Sequence, residues 1–209
     1  MSKYLVNARQ ARDNNNTEDA KRFYDMVRTD DPMNGEAMFF YQYYSLYEGK
    51  NGEIPTRFIN IQKALEPSIN AVVNSEDAPE EKMTIIAAIV NAYIPLTWTL
   101  NRYMNGLNTG TGANRVTVIS ASTISSTCEA GVIKLYGLGD LLESIFGENG
   151  AAKVLSIACW KEAITLQQKW YAYKYAGITP ETYAEKIKAV EPEYEIPKKA
   201  GCIQLADKR

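Results

Sequence analysis

The first 37 residues limit what the rest of the chain can become, because their spacing fits two short helices, a turn and the start of a third. Tyr4, Leu5, Ala8 and Ala11 recur at helical spacing over residues 3–12, and the turn formers Asp13, Asn14, Asn15 and Asn16 then break the pattern. Thr17 is a good N-cap. Glu18 and Asp19 follow it, where carboxylates complement the helix dipole, and Ala20, Phe23, Tyr24 and Val27 form the next apolar stripe. Pro32 disfavours helix at Asp31, so the second helix stops near Asp30. A link of only a few residues makes the two helices antiparallel.

Tyr4, Ala8, Ala20, Tyr24, Val27 and Pro32 together resemble a tetratricopeptide repeat. That repeat sets a large aromatic and a small residue on its first helix, small, aromatic and small residues on its second, and a proline just after. Asn7 stands where the repeat usually has leucine, and Ala11 where it usually has an aromatic. The resemblance covers one repeat and the opening of a second. It implies stacked helix pairs whose first helices line a concave groove, and by that geometry Leu5, Arg9 and Arg12 face the groove with Phe39, Tyr43 and Tyr47. Arginines beside tyrosines suit a peptide with an acidic group and an apolar anchor. The family's carboxylate clamp of lysine and asparagine is not reproduced by Leu5 and Arg9. Whether Phe39, Tyr43 and Tyr47 line a groove or pack as core under later helices stays open at this point.

A third helix is expected from Asn34 or Gly35 through the aromatic run to Tyr47, closing at Gly49 and the Asn51-Gly52 turn. The repeat pattern does not resume. Ile54-Pro55-Thr56 opens a helix through Phe58, Ile61, Ala64, Leu65, Ile69 and Val72, which Pro67 is expected to kink or divide. Ala78-Pro79-Glu80-Glu81 starts another, followed by residues 83–101 without a charge. Such a length can cross a bilayer. Asn91, Pro95 and three threonines speak against it, and the single stripe of Ile85, Ile89, Ala92, Leu96 and Leu100 favours a buried central helix, so no membrane span is expected.

Residues 106–114 are glycine-rich, but no Lys-Ser or Lys-Thr follows, and a flexible connector is favoured over a phosphate loop. Residues 115–127 lean toward strand by propensity. They are read as helix, leading into Val132, Leu135 and Tyr136, because no partner strand is evident; helix and strand both remain open. Gly137 and Gly139 are expected to mark a break before a short helix over residues 140–146, and a long helix is expected over residues 151–176. Thr179-Pro180-Glu181 restarts a helix through Tyr183, Ile187 and Val190. The fold class is thus all-α: tetratricopeptide-like helical pairs over residues 1–74, a larger antiparallel helical bundle packed on them over residues 79–197, and a tail over residues 198–209. Residues 8–37, Leu138-Gly139-Asp140, Cys159-Trp160-Lys161-Glu162 and Tyr183-Ala184-Glu185-Lys186-Ile187 are also similar to helical regions of uncharacterised proteins from gut-dwelling Gram-positive bacteria. Some of those carry an amino-terminal zinc ribbon with no counterpart in this sequence, and no activity comes with the resemblance.

The chain has no histidine. Imidazole-based triads, His-ligated zinc and carboxylate di-iron sites with a Glu-x-x-His pair therefore lose a key group. Cys128, Cys159 and Cys202 form no Cys-x-x-Cys pair, which argues against a zinc ribbon or a disulfide framework and points to a reducing cytoplasm. The amino terminus shows no secretory pattern. A net charge of -2 gives no nucleic-acid footprint. The remaining candidates for catalysis are Glu129, Asp140, Glu143 and Glu162, which more often sit on solvated faces or beside lysines, and Cys128 and Cys159, which more often act as small hydrophobes. No cofactor or metal and no catalysis is expected. The expected role is protein or peptide binding as an adaptor, with a subunit of a homo-oligomer or larger assembly as the alternative and an enzyme of unusual chemistry as a third.

Overall fold

The computed structural model describes residues 2–49, 53–109, 121–147, 149–170 and 178–198, and its regular structure is helical, in agreement with the all-α expectation. The α-helices among these residues are α1 (Lys3–Asp13), α2 (Thr17–Asp30), α3 (Gly35–Ser45), α4 (Ile54–Asn74), α5 (Pro79–Thr109), α6 (Ala121–Phe146), α7 (Gly150–Trp170) and α8 (Pro180–Lys188). A 3-10 turn, Leu46–Glu48, extends α3. The expected continuation of α7 through residues 171–176 and the tail over residues 199–209 lie outside the described residues.

Side-chain caps fix the starts of the first three helices. Ser2 Oγ accepts from the Tyr4 amide at 3.2 Å, and Asn34 Oδ1 accepts from the Ala37 amide at 3.0 Å. The cap of α2 is Asn16 rather than Thr17. Asn15 takes a left-handed conformation (φ 56°), which turns the chain, and Asn16 Oδ1 then accepts from the Asp19 amide at 3.1 Å. Asparagine tolerates that region and is at least as good a cap as threonine, so the run of three asparagines does the work of the turn and the cap together.

The chain divides into two compact units, Met1–Tyr93 with Thr111–Thr127, and Ile94–Gly110 with Cys128–Arg209. In the first unit α1 packs on α2, α2 on α3 and α3 on α4. Ala8, Ala20 and Ala37 are fully buried, which lets backbones approach, while Tyr24, Phe39, Phe40 and Phe58 fill the space between them. Each such buried phenyl contributes about 1.5–3 kcal/mol. Gly35 is where α3 comes closest to α4: a Cβ there would stand 2.3 Å from the Ser68 carbonyl oxygen. Phe58, Ile61, Leu65, Ile69 and Val72 make the buried stripe of α4. Pro67 does not divide this helix. Pro67 and Lys63 both lie on its exposed side, so the carbonyl that the proline leaves without an N–H partner is on the face where water is available.

Two further expectations are corrected. α5 runs on to Thr109, so residues 106–109 are helix and not connector; residues 110–120 lie outside the described residues, and residues 121–127 are helical. α6 passes through Gly137 and Gly139 without a break, so residues 140–146 are its last turns. Gly139 marks a close contact within the second unit, where a Cβ would meet Trp160 Nε1 at 2.3 Å, whereas Gly137 faces open space. In that unit α7 packs on α8, the Tyr136 and Tyr183 rings lie 4.3 Å apart, and the buried Tyr136 hydroxyl donates to Gln167 Oε1 at 2.7 Å.

One helical segment among the described residues, Pro79–Tyr103 of α5, is long and apolar enough to cross a membrane by length and composition; 44% of its most apolar window is buried. Its exposed positions include Thr84, Asn91, Pro95 and Thr99, a polar and proline stripe.

Candidate functional site

Glu36 is the second residue of α3, and its side chain is 1% exposed. Arg9 and Arg12, three apart on α1, share one helix face and converge on it. Arg9 donates from Nε at 2.8 Å and Nη2 at 2.6 Å to Glu36 Oε2, while Arg12 Nη1 at 2.9 Å and the Tyr24 hydroxyl at 2.8 Å donate to Oε1. The remaining face of Arg9 meets Glu81 of α5, with Nη1 2.5 Å from Oε1. Arg12 also lies over the Phe40 ring at 5.2 Å.

A buried carboxylate survives only if opposite charge and donors replace its hydration. Four donors from α1 and α2 do so, and the amino-terminal end of α3 adds a favourable dipole. Burial opposes the charge of Arg9, but the hydrogen bonds and attraction of Glu36 and Glu81 outweigh it and hold its pKa above the ordinary value. Burial opposes Arg12 in the same way and is outweighed by Tyr24, Asp13 and Glu36. Burial, then the negative charge of Glu36, push the Tyr24 phenol far upward, so it stays a donor. Three elements are thereby pinned together by one acid.

The residues expected on a common groove are distributed differently. Arg9 and Arg12 are committed to Glu36, so the acid they recognise is the chain's own. Phe39 is fully buried against Phe40, with ring centroids 5.2 Å apart. Tyr43 is half-buried and Tyr47 is 59% exposed, their hydroxyls 3.3 Å apart at the far end of α3. Leu5 is buried but, with Arg9, borders a cleft.

That cleft, about 810 Å³, lies where the beginnings of α1, α3 and α5 meet the ends of α2 and α4. Leu5, Val27, Val72 and Ile85 form its buried apolar lining, with Met33 at the rim, 72% exposed. Its acids are Asp30, Asp31, Glu36, Glu76, Asp77 and Glu81, against Arg9 as the one basic lining residue. Sequence reasoning missed Glu36 and this rim. The signal for Glu36 was a carboxylate followed directly by the apolar and aromatic run Ala37 to Tyr41, with its arginines 24 to 27 residues away in sequence.

The acids considered for acid–base chemistry serve tertiary contacts. Asp140 accepts from the Tyr183 hydroxyl at 2.7 Å and shares Lys186 with Glu143, at 3.0 and 2.7 Å, while Glu162 accepts from Trp98 Nε1 at 2.6 Å. Cys128 and Cys159 are buried, and burial, followed by the nearby Glu162 charge, pushes the Cys159 thiol up to about 12. Among the described residues no group of three Cys, Asp or Glu side chains is placed to hold a metal ion. Comparison with protein-family models, with curated proteins and with solved structures finds no match to this chain.

Proposed function

We propose that the protein is a non-catalytic partner-binding module of the cytoplasm whose first helices follow a tetratricopeptide-like plan, and that a protein or peptide docks in the cleft at the ends of α1–α5. The observation that carries this reading is the cleft itself: about 810 Å³ with an apolar lining, framed by helices that the Arg9–Glu36–Arg12 cluster holds in place. A preorganised concave surface loses little entropy on binding. The successive packing of α1 on α2, α2 on α3 and α3 on α4 supports the repeat-like reading, and the polar exposed stripe of α5 supports its role as a core helix. Ala71 lines the cleft and is half-buried, so Ala71→Trp fills it. On an array of peptides of mixed composition, the protein is expected to capture a subset that the Ala71→Trp variant, folded by circular dichroism, releases. Identical capture by both, or capture of nothing, ends the reading.

A second reading, a homo-oligomer joined through the outer end of α3, is favoured by the 59% exposure of Tyr47. Light scattering separates the two, since a strict monomer at high concentration removes the second.

A further inference from the structure

Resting on the docking reading, we infer that the cleft receives a positively charged peptide segment in which lysine or arginine alternates with apolar side chains. The charges of the lining do not cancel. Arg9 and Arg12 answer Glu36 and Glu81, which leaves Asp30 and Asp31 at the end of α2 and Glu76 and Asp77 in the link to α5 with no cation in ion-pair contact among the described residues. Two acidic pairs on separate connections thus border one apolar cleft. Asp31 Oδ1 accepts from the Met33 amide at 3.1 Å and Asp77 Oδ2 from the Ser75 hydroxyl at 2.9 Å, so both carboxylates are held in place while keeping acceptor capacity. Carboxylates left unpaired beside low-dielectric walls concentrate negative potential and attract a cationic partner.

The occupant is a chain and not a single ion. No three of these acids are close enough to hold a metal, and a metal has no use for the apolar surface of Leu5, Val27, Val72 and Ile85 or for Met33 projecting at the rim. A flexible methionine beside acids suits side chains that pair an aliphatic stem with a charged head. The acidic partner expected from arginines on a groove is disfavoured by the same charges.

The test uses the full chain and three short fluorescein-labelled peptides: lysine alternating with leucine, glutamate alternating with leucine, and serine alternating with leucine. Anisotropy is read for the wild type, for Ala71→Trp, and for a variant carrying Asp30→Asn, Asp31→Asn, Glu76→Gln and Asp77→Asn, each checked by circular dichroism. The lysine peptide is expected to bind the wild type best, to weaken about tenfold or more in the neutralised variant and on raising salt, and to be lost from Ala71→Trp. Glutamate or serine peptide binding as tightly and blocked by Ala71→Trp overturns the cationic specificity and leaves the docking site standing. Lysine peptide binding that neither variant alters places the contact elsewhere and overturns both. No binding of any peptide also overturns both. Self-association of the wild type that the neutralised variant loses makes a second copy the occupant, and overturns the inference.

Discussion

Arg9 sets two nitrogens, Nε at 2.8 Å and Nη2 at 2.6 Å, on a single oxygen of Glu36, a side chain that is 1% exposed. The Arg9 side chain is itself 19% exposed and that of Arg12 21%, so both cations are only partly hydrated and lean on the acid. Glu36→Ala is expected to destabilise the protein by about 3 kcal/mol, because the two arginines lose their shared buried acceptor while Arg9 keeps Glu81 and Arg12 keeps Asp13. Tyr24→Phe removes one donor to a charged acceptor and is expected to lose about 1.5–3 kcal/mol. Urea unfolding measures both, and a Glu36→Ala midpoint equal to wild type contradicts the arrangement.

Gly139 and Gly137 are two residues apart on α6, yet opposite effects are expected from the same substitution. Gly139→Ala drives a methyl to 2.3 Å from the Trp160 indole and forces a core ring to move, at about 1–3 kcal/mol, with an accompanying change in tryptophan emission. Gly137→Ala meets nothing within 4 Å and replaces a poor helix former, for a gain of about 0.5–1 kcal/mol. Thermal melts of the two variants decide it. Equal shifts in the same direction would falsify the contact.

Alkaline conditions are expected to unfold the protein early. Tyr44 is raised from 10.0 to about 12 and Cys159 from 9.0 to about 12, chiefly by burial, and Tyr24, Tyr43 and Tyr136 are displaced upward for the same first reason. A group with a raised folded pKa is protonated in both states at neutral pH. Once pH passes the unfolded value, only the unfolded chain loses the proton, so this stability is complete below about pH 9 and drains away toward about pH 12. Each fully shifted group removes up to about 1.4 kcal/mol per unit of pH. Urea midpoints should therefore fall steadily over that window, and a midpoint constant up to pH 11 is the contrary outcome.

The same burial predicts inert thiols. In a Cys202→Ser variant the remaining Cys128 and Cys159 are 1% and 0% exposed, and labelling by a thiol reagent is expected to be at least about a hundredfold slower in buffer than in denaturant. Rapid stoichiometric labelling of the folded protein rules this out.

Local chemistry was the legible part of the fold. Pro79, Pro180 and Asn34 announce helix starts because a missing N–H or a side-chain oxygen acts within one turn of its own position. Phe58, Ile61, Leu65, Ile69 and Val72 were readable as a stripe because burial repeats with the helical period. Gly139 was misread for a reason equally physical: a helix tolerates a glycine when another element occupies the space of its side chain, and Trp160 lies 21 residues further on. Likewise Arg9 and Arg12 carry the same spacing whether their acid is a partner's or Glu36, and only the crossing of α1 with α2 and α3 decides between them.

The first unit is assembled from two separate stretches of chain, Met1–Tyr93 and Thr111–Thr127. The buried Gln62 side-chain amide donates from Nε2 to the Thr127 carbonyl at 3.5 Å, across 65 residues. During synthesis on a ribosome the helices α1–α4 emerge early, but the unit stays unfinished until residue 127 has been delivered, after the first stretch of the second unit. A chain made from its amino end therefore delivers part of the second unit before the last stretch of the first. A nascent chain halted near Tyr93 lacks the Thr127 carbonyl, and at that length the Gln62 amide is without this acceptor.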